Sequence, residues 1–303
     1  MKNYQSTHKI PHFFDEALKL RHEFEARFKD PKKTTQDRFV WDYWFVENQY
    51  TLIRSEAENI FSQKLFQNFS QSLIEFGQKY LGCDGITPPW ISYYVDGCKQ
   101  ELHADVPHGP WAYVYSLTPW SKREFSGGET ILLKPTTLDY WNNYEKMNGI
   151  ELKELTTKIP AQFNQLLVFD PRIPHGVTPV RGTQDPLKAR VVIHGWFTNP
   201  RPIIHGGLGQ KKTTQILNDL IYEMEPIFDK YSALTGTLTL RLEINQKGQI
   251  DRLFFLTNTL ISLEKSLSPV KFLNEIERYI KQKKFPVAKS RTEITLPFLF
   301  QSR

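Results

Sequence analysis

Apolar residues recur at helical spacing in two stretches near the start of the chain, EALKLRHEFEARF (16–28) and SQKLFQNFSQSLIEFGQKYLG (62–82). A spacing of three and four residues places such side chains on one face of an α-helix. Between these stretches, RFVWDYWFV (38–46) alternates aromatic and polar residues, which is typical of a strand. Residues 1–80 are therefore predicted to be mainly helical, with one intervening strand.

The pattern changes between about residues 90 and 200. Short runs rich in β-branched and aromatic residues are separated there by Gly, Pro and Asp, and these runs are PWISYYVDG, WAYVYSLTPW, GGETILLKP, NQLLVFDPRIPHGVTPV and ARVVIHGWF. Several short strands at this spacing are typical of β-sandwiches and β-barrels. We therefore predict a mainly β domain in the middle of the chain.

The segment IIHGGLGQ (203–210) has the composition of a linker. Beyond it the pattern predicts an amphipathic helix over 213–230, a β-hairpin with the turn NQKG, a second helix over 269–283 and a final strand, TEITLPFLF. We predict two domains, residues 1–207 and a small α+β domain, residues 208–303. The second domain has no cluster of His, Cys or acidic residues, so we expect it to bind a partner or to have a packing role.

Composition is consistent with a folded two-domain protein. Of 303 residues, 40% are hydrophobic and 24% are charged, and no apolar run approaches the length of a membrane helix. The first residues lack the features of a secretory signal. Only two cysteines, Cys83 and Cys98, are present. We therefore expect no disulfide framework and a cytoplasmic location.

The formal net charge of +6 has two interpretations, a solvated basic surface or a site for a polyanion. No helix-turn-helix, zinc-finger or stacking-aromatic motif accompanies the basic residues. The first interpretation is therefore favoured, and nucleic acid is not expected as a partner.

Candidate metal ligands lie in the β-rich region. In QELHADVPHG (100–109), His103 and Asp105 are two residues apart, so on a strand both side chains point to the same face. His175 follows in FDPRIPHGVTPV. Two histidines and one carboxylate on one face of a metal leave positions open for substrate and oxygen, as in non-haem Fe(II) oxygenases. A structural zinc site would instead need four ligands.

An arginine begins the apolar strand ARVVIHGWF. A buried guanidinium is costly unless it meets an anion, and a carboxylate is its bidentate partner. That partner is either the far carboxylate of a dicarboxylate cosubstrate or a nearby Asp or Glu of the protein. Arg190 is therefore a candidate ligand-binding residue.

The motifs YVDGCKQELHADV, GGETILL, PHGVTPVRG and ARVVIHGWF resemble the prolyl-4-hydroxylase-like branch of the Fe(II)- and 2-oxoglutarate-dependent oxygenases. The resemblance covers roughly residues 88–198 and implies a double-stranded β-helix (jelly-roll) core. The positions that match are Tyr94, Gly97, His103, Asp105, Gly127, Gly128, Glu129, Thr130, His175, Pro179, Val180, Arg190 and Trp196.

This resemblance implies an enzyme and its cofactors. His103, Asp105 and His175 would hold Fe(II) as the catalytic centre, and Arg190, with Tyr94 and Trp196, would bind 2-oxoglutarate. The implied reaction uses O2, with ascorbate as a further candidate cofactor. It hydroxylates an unactivated C–H of a peptidyl or free amino acid or of another small molecule, and it yields succinate and CO2.

Two departures from the family pattern are evident. The gap between His175 and Arg190 is long, so RGTQDPL is interpreted as an inserted loop. Arg181 thereby becomes an alternative to Arg190, which we prefer because it opens the strand beside the metal. The segment 133–160 is interpreted as a lid or as a surface insertion. His108 and His194 have either a pocket role or a structural one.

Alternatives from other functional classes remain. One is a non-catalytic jelly-roll protein that binds a metal or another ligand and is joined to an interaction module. Another is a zinc-dependent hydrolase with the same three ligands. The C-terminal segment is similar to the carboxy-terminal domain of TonB-type energy transducers in its strand–turn–strand–helix–strand order, but it lacks their membrane anchor and Pro-rich spacer.

Overall fold

The computed structural model describes residues 6–29, 41–105, 108–134, 137, 155–264 and 266–301. The strands are β1 (Thr7–Ile10), β2 (Asp42–Val46), β3 (Tyr50–Glu56), β4 (Cys83–Ile86), β5 (Trp90–Tyr94), β6 (Lys99–His103), β7 (Trp111–Ser116), β8 (Thr130–Leu133), β9 (Thr156–Ile159), β10 (Gln165–Phe169), β11 (His175–Val177), β12 (Arg190–Pro200), β13 (Ile203–Gly206), β14 (Leu234–Ile244), β15 (Ile250–Asn258), β16 (Ile261–Ser262) and β17 (Thr292–Phe300). The α-helices are α1 (Ala17–Ala26), α2 (Gln63–Phe76), α3 (Gln210–Glu223), α4 (Glu225–Lys230) and α5 (Pro269–Lys281).

Contacts divide the chain into two compact units. One contains Thr7–Leu73 and Ile86–Phe197, and the other contains Ile74–Gly85 and Thr198–Arg303. The predicted division at residue 207 stays a prediction. The segment predicted as a linker differs from expectation, because residues 203–206 form β13 and pair with β17.

The first unit is a curled antiparallel sheet with the strand order β1-β10-β7-β12-β5-β3-β6-β11-β8-β9, and β2 pairs with β3. Side chains from β6 and β7 line the same cavity although these strands are far apart in that order. The sheet therefore folds over on itself as in a jelly roll. The predicted mainly β fold with a jelly-roll core is confirmed.

Alternation along β7 separates the core from the cavity. Trp111 and Tyr115 are buried, and Tyr115 packs on Phe69 of α2 with ring centroids 4.8 Å apart. Ala112 and Val114 point the other way and line the cavity. Large aromatic residues thus fill the space between sheet and helix, whereas smaller residues leave the cavity open.

Strands of the first unit were missed near the N-terminus. α1 and α2 confirm the two predicted helices, but residues 7–10 and 50–56 form β1 and β3. β3 pairs with β2, β5 and β6. Its conformation depends on these partners, which local pattern does not reveal. The predicted lid or insertion, 133–160, lies largely outside the described residues.

The second unit is a small α+β domain, as predicted. Its sheet has the order β13-β17-β14-β15, and β16 pairs with β14. The hairpin β14–β15 and the strand β17 occur where they were expected, and apolar residues of α3 and α5 share one core with the sheet. The predicted helix 213–230 is instead two helices. Pro226 lacks an N–H and occupies the first turn of the new helix α4. The TonB-type resemblance stays a prediction.

None of the helices in the described ranges combines the length and apolar character needed to cross a membrane. Cys83 and Cys98 are both free and buried. The cytoplasmic location stays a prediction.

The turn that precedes β8 depends on glycine. Gly127 has φ 74°, and a Cβ at this position would lie 1.9 Å from the carbonyl oxygen of Pro179. Gly97 also has a positive φ, 89°, but a Cβ there would meet nothing within 4 Å. Alanine substitutions at the two glycines therefore distinguish two contributions to the free energy of unfolding, the strain of a left-handed backbone and the clash of a Cβ with neighbouring backbone.

We predict that Gly97→Ala lowers the free energy of unfolding by about 1–2 kcal/mol, the cost of a left-handed residue with a Cβ. Gly127→Ala should lower it by more, on the order of 3 kcal/mol or above, because the backbone of Pro179 has to move as well. Urea unfolding of both variants measures the difference. Equal losses in the two variants would contradict the close packing of this turn.

Candidate metal centre

Strand pairing brings the three predicted metal ligands together. β11 pairs with β6 so that His175 lies opposite His103, and their ring centroids are 4.5 Å apart. Nε2 of His175 is 3.2 Å from Oδ2 of Asp105, and Nε2 of His103 is 3.7 Å from Oδ1 of Asp105. One ligand atom from each residue lies within 4.8 Å of the others. The three side chains thus converge on one point.

Backbone carbonyl groups orient both imidazole rings. Nδ1 of His103 is 2.8 Å from the carbonyl oxygen of Glu101, and Nδ1 of His175 is 2.9 Å from that of Ile173. A carbonyl oxygen only accepts, so each Nδ1 carries the proton and donates. Nε2 of each ring is then the atom that faces the convergence point, which is the usual arrangement of metal-ligating histidines.

The loop before β11 positions the carboxylate as well as the second histidine. The backbone N–H of Asp105 donates to the carbonyl oxygen of Pro171 at 3.0 Å. The buried Asp170 shapes this loop, because its Oδ1 accepts from the backbone N–H of Arg172 at 3.0 Å. One short loop therefore fixes the spacing between Asp105 and His175.

Asp105 is ionised in this setting. Burial favours the neutral acid and by itself raises the pKa of Asp105. The hydrogen bond with His175 and the charges of His175, His103 and His108 outweigh burial, so the pKa lies below its ordinary value. Two imidazole nitrogens and one carboxylate oxygen suit Fe(II) or a similar divalent ion on one face, and the cavity lies on the other side.

The triad opens into a cavity of about 590 Å³ inside the curled sheet. This volume is in the range of small-molecule sites. Its walls combine apolar side chains from β7 and β12, such as Val114 and Val192, with two arginines, Arg54 and Arg190. The cavity therefore offers cationic groups within largely apolar walls.

Arg190 is buried in this wall without an anionic partner. Its exposed fraction is 1%, and Nη2 donates a hydrogen bond to Oγ1 of Thr130 at 3.2 Å. Nε and Nη1 have no hydrogen-bond partner among the described residues. Burial lowers the pKa of Arg190, whereas Tyr94 and the charge of Glu129 raise it. No carboxylate among the described residues lies within salt-bridge distance of the guanidinium. The alternative that Arg190 pairs with a neighbouring acid is therefore not observed.

The glycine turn contacts the same arginine. A Cβ on Gly128 would lie 3.2 Å from Cδ of Arg190, and Gly128 has φ 79°. Thr130, two residues on, accepts the hydrogen bond from Nη2. The Gly-Gly-Glu-Thr sequence thus both makes room for the Arg190 side chain and holds one end of its guanidinium.

The two other predicted cofactor-binding residues also line the cavity. The guanidinium carbon of Arg190 lies 4.5 Å from the ring centroid of Tyr94, whose hydroxyl donates to Oε1 of Gln100 at 3.1 Å. Trp196 stacks against His108 with ring centroids 4.5 Å apart, and its Nε1 has no hydrogen-bond partner. Both side chains are positioned to contact a bound molecule.

Arg181 lies elsewhere. It is exposed, does not line the cavity, and its backbone N–H donates to Ser126 at 3.0 Å. His194 does line the cavity, and its Nε2 is 2.8 Å from Oγ of Ser92. Burial, together with Arg54 and Arg190, lowers the pKa of His194 to about 4, so this ring is neutral at neutral pH.

Sequence reasoning missed one wall of the site. Trp44, Tyr50, Arg54 and Trp90 line the cavity from the hairpin β2–β3 and from β5. The alternation in RFVWDYWFV predicted a strand, but β3, the strand that pairs with it, was not predicted. The signal that could have found this wall was an arginine among apolar residues in YTLIRSE.

No family model and no curated protein sequence matches the chain. Its structure is similar to many solved structures, among them those of three proteins. A Pseudomonas putida prolyl-4-hydroxylase is 16% identical, with 64% of this chain and 93% of that chain covered and a TM-score of 0.44. A Trichoplax adhaerens prolyl hydroxylase, in complex with a hypoxia inducible factor peptide fragment, is 15% identical, with 64% and 84% covered and a TM-score of 0.45.

The third is a Burkholderia pseudomallei oxidoreductase of the 2OG-Fe(II) oxygenase family. It is 13% identical, with 64% of this chain and 85% of that chain covered and a TM-score of 0.41. At these identities and TM-scores, the chemistry of the chain has to be argued from the side chains of its own site.

The loop before β11 yields a prediction about metal affinity. Asp170→Ala should weaken metal binding about 10- to 100-fold, because the loop that orients Asp105 and His175 loses its acceptor. Asp185 is a matched control, since its Oδ1 also accepts from the backbone N–H two residues on, Leu187, at 2.9 Å. Asp185→Ala should leave the affinity unchanged. Titration with Co(II), followed by visible absorption, measures both, and equal affinities would contradict the positioning role.

Proposed function

We propose that this chain is an Fe(II)- and 2-oxoglutarate-dependent oxygenase that hydroxylates an unactivated C–H of its substrate. The observation that supports this most is that one cavity contains both the His103–Asp105–His175 triad and the unpartnered donors of Arg190. A buried guanidinium without a counter-ion is costly. A dicarboxylate that reaches from the metal to Arg190 would offset that cost.

The residues present fit Fe(II). Both histidines direct Nε2 at one point, Asp105 supplies an anionic oxygen, and three protein ligands leave further positions free. When bound, Fe(II) with 2-oxoglutarate and O2 supplies the oxidising power for hydroxylation, with release of succinate and CO2. The protein holds the ligand atoms in place through the backbone carbonyls of Glu101 and Ile173.

Arg190 would bind the far carboxylate of 2-oxoglutarate. Nε and Nη1 are free to donate, Nη2 is held by Thr130, and Tyr94 lies against the guanidinium. Parallel N–H bonds on a guanidinium come from Nη2 paired with Nε or with Nη1. Nη2 has a second N–H besides the one that bonds Thr130, so a planar carboxylate can bind to either pair. Val114, Val192 and other apolar wall residues exclude water from the reacting groups.

Two other functions remain possible outcomes of the tests. A zinc-dependent hydrolase would use the same three ligands, and a non-catalytic jelly roll would bind a ligand without turnover. Neither function needs a residue that binds the far carboxylate of a dicarboxylate, which is the role that the unpartnered donors of Arg190 favour. The oxygenase is therefore the function that the site supports best.

The substrate is proposed to be a peptide or a small molecule, since a cavity of about 590 Å³ admits a side chain or a compact ligand. We propose that the C-terminal α+β domain binds a protein partner. Nucleic acid is not proposed as a partner.

Loss of a metal ligand should abolish turnover. We predict that His103→Ala and Asp105→Ala remain folded but no longer convert 2-oxoglutarate to succinate, because the apolar core does not depend on the metal. His205→Ala, at an exposed histidine of the second unit, is the control and should keep wild-type activity. Succinate formation in the presence of Fe(II) and O2 is the measurement. Activity retained in either ligand variant would exclude this triad.

The two arginines should differ in 2-oxoglutarate binding. Arg190→Ala removes a charge pair with a desolvated carboxylate, which typically costs about 2–5 kcal/mol of binding free energy. Arg190→Lys should recover only part of this, because an ammonium lacks the bidentate geometry. Arg181→Ala should bind as wild type does. Anaerobic calorimetry with Fe(II)-loaded protein measures the dissociation constants, and the reverse pattern would refute the assignment.

A further inference from the structure

A second arginine faces the same cavity from the opposite side of β5. Arg54 pairs with Ser92, whereas Arg190 pairs with Tyr94, two residues further along β5. Two residues of a strand span about 7 Å. The two arginine side chains therefore start from different points of the cavity wall.

Two tryptophans enclose the guanidinium of Arg54. Its central carbon lies 3.4 Å from the ring centroid of Trp44 and 4.1 Å from that of Trp90. Cation–π contacts on both faces fix the plane of the group. Only its edge, with the N–H groups in the plane, is left to bind a ligand.

Within the described part of the chain, no group forms a hydrogen bond or salt bridge with that edge. Nε of Arg54 is buried without a hydrogen-bond partner, and the side chain forms no salt bridge with any residue that the structure describes. Asp42 lies opposite Arg54 in the β2–β3 pairing, and its charge with Tyr50 and Tyr94 opposes the effect of burial, which lowers the pKa of Arg54. Asp42 therefore acts on Arg54 through its charge and forms no salt bridge with it.

The described residues around Arg54 do not supply an anion for its guanidinium either. Burial, with smaller contributions from the charges of Arg54 and Arg190, lowers the pKa of His194 to about 4, so the ring is neutral at neutral pH. The acidic residues that line the cavity are Asp105, which belongs to the metal centre, and Glu56, which is exposed. Neither forms a salt bridge with Arg54. The cavity therefore keeps one cation for a ligand other than the one at Arg190.

Aromatic contacts place Arg54 next to the metal centre. Trp44 stacks on Tyr50 with ring centroids 6.4 Å apart and planes at 9°, and the ring of Tyr50 lies 6.1 Å from that of His103. The hairpin β2–β3 thus forms a continuous wall from a metal ligand to Arg54. A molecule held at Arg54 would extend along this wall to the metal.

We infer that Arg54 is a substrate-binding residue and that the substrate is a small molecule with a carboxylate, which the edge of the guanidinium binds. This inference rests on the proposed function and specifies its substrate class. A planar carboxylate matches two parallel N–H groups in one plane. Arg190 binds the cosubstrate, and Arg54 orients the molecule to be hydroxylated.

The test measures binding to protein already loaded with Fe(II) and 2-oxoglutarate without oxygen. A panel of free amino acids and of aliphatic and aromatic carboxylic acids, each paired with its primary amide, is titrated by calorimetry. At least one acid should bind, and its amide should bind about 10- to 100-fold more weakly, the usual value of a hydrogen-bonded charge. Arg54→Gln should remove this difference, and Arg54→Lys should restore part of it.

Arg123→Gln is the matched control. Arg123 also lies over a tryptophan, Trp120, at 4.1 Å and also has an unpartnered Nε, but it does not line the cavity. This variant should bind acid and amide as the wild type does. The inference is overturned if no acid of the panel binds, if each amide binds as tightly as its acid, or if Arg54→Gln leaves the preference intact.

The affinity for 2-oxoglutarate distinguishes a failure of this inference from a failure of the proposed function. This affinity should be equal in the wild type and in Arg54→Gln. A wild-type protein that does not bind 2-oxoglutarate contradicts the proposed function itself. Weaker 2-oxoglutarate binding in Arg54→Gln overturns only the inference, because Arg54 would then belong to the cosubstrate site.

Discussion

The site depends on the pairing of two short strands, β6 and β11. This pairing sets His175 opposite His103, and the backbone at Glu101 and Ile173 then turns both imidazole rings so that each Nε2 is directed at one point. Asp105 joins them because its own N–H is bonded to the loop before β11. The ligand geometry is therefore built from backbone hydrogen bonds of the sheet and of the adjoining loop.

Unsatisfied donors distinguish this cavity from an ordinary interior. Buried polar groups are normally hydrogen-bonded, yet Nε of Arg54, Nε and Nη1 of Arg190 and Nε1 of Trp196 all lack partners in the cavity wall. Each of these atoms can only donate. A ligand that satisfies them must be rich in acceptors, and a carboxylate is the simplest group that is. Two such arginines in one cavity support the proposal of two carboxylate ligands, one at each guanidinium.

The parts of the fold that were predictable carry their signal locally. Strand alternation and metal chemistry restrict the residue type at each ligand position. For this reason the sequence predicted the H-x-D triplet, the distal histidine and the arginine that opens β12 as site residues. The hairpin turn in NQKG and the apolar alternation in TEITLPFLF predicted β14, β15 and β17 for the same reason. The wall formed by β3 was not predicted, because YTLIRSE is a short segment whose pairing with β2, β5 and β6 joins positions that the local pattern does not connect. The role of Gly128 was also hidden, since its contact with Arg190 joins positions far apart in the sequence.

In the proposed site, one 2-oxoglutarate molecule spans the distance from the triad to Arg190. A crystal structure of the protein grown anaerobically with Fe(II) and 2-oxoglutarate tests it most directly, with anomalous scattering at the iron edge to locate the metal. We predict iron bound by Nε2 of His103, Nε2 of His175 and a carboxylate oxygen of Asp105, with the far carboxylate of 2-oxoglutarate bonded to the guanidinium of Arg190 through Nη2 together with Nε or Nη1. Iron at another place, or a far carboxylate that makes no hydrogen bond to this guanidinium, would contradict the proposed site.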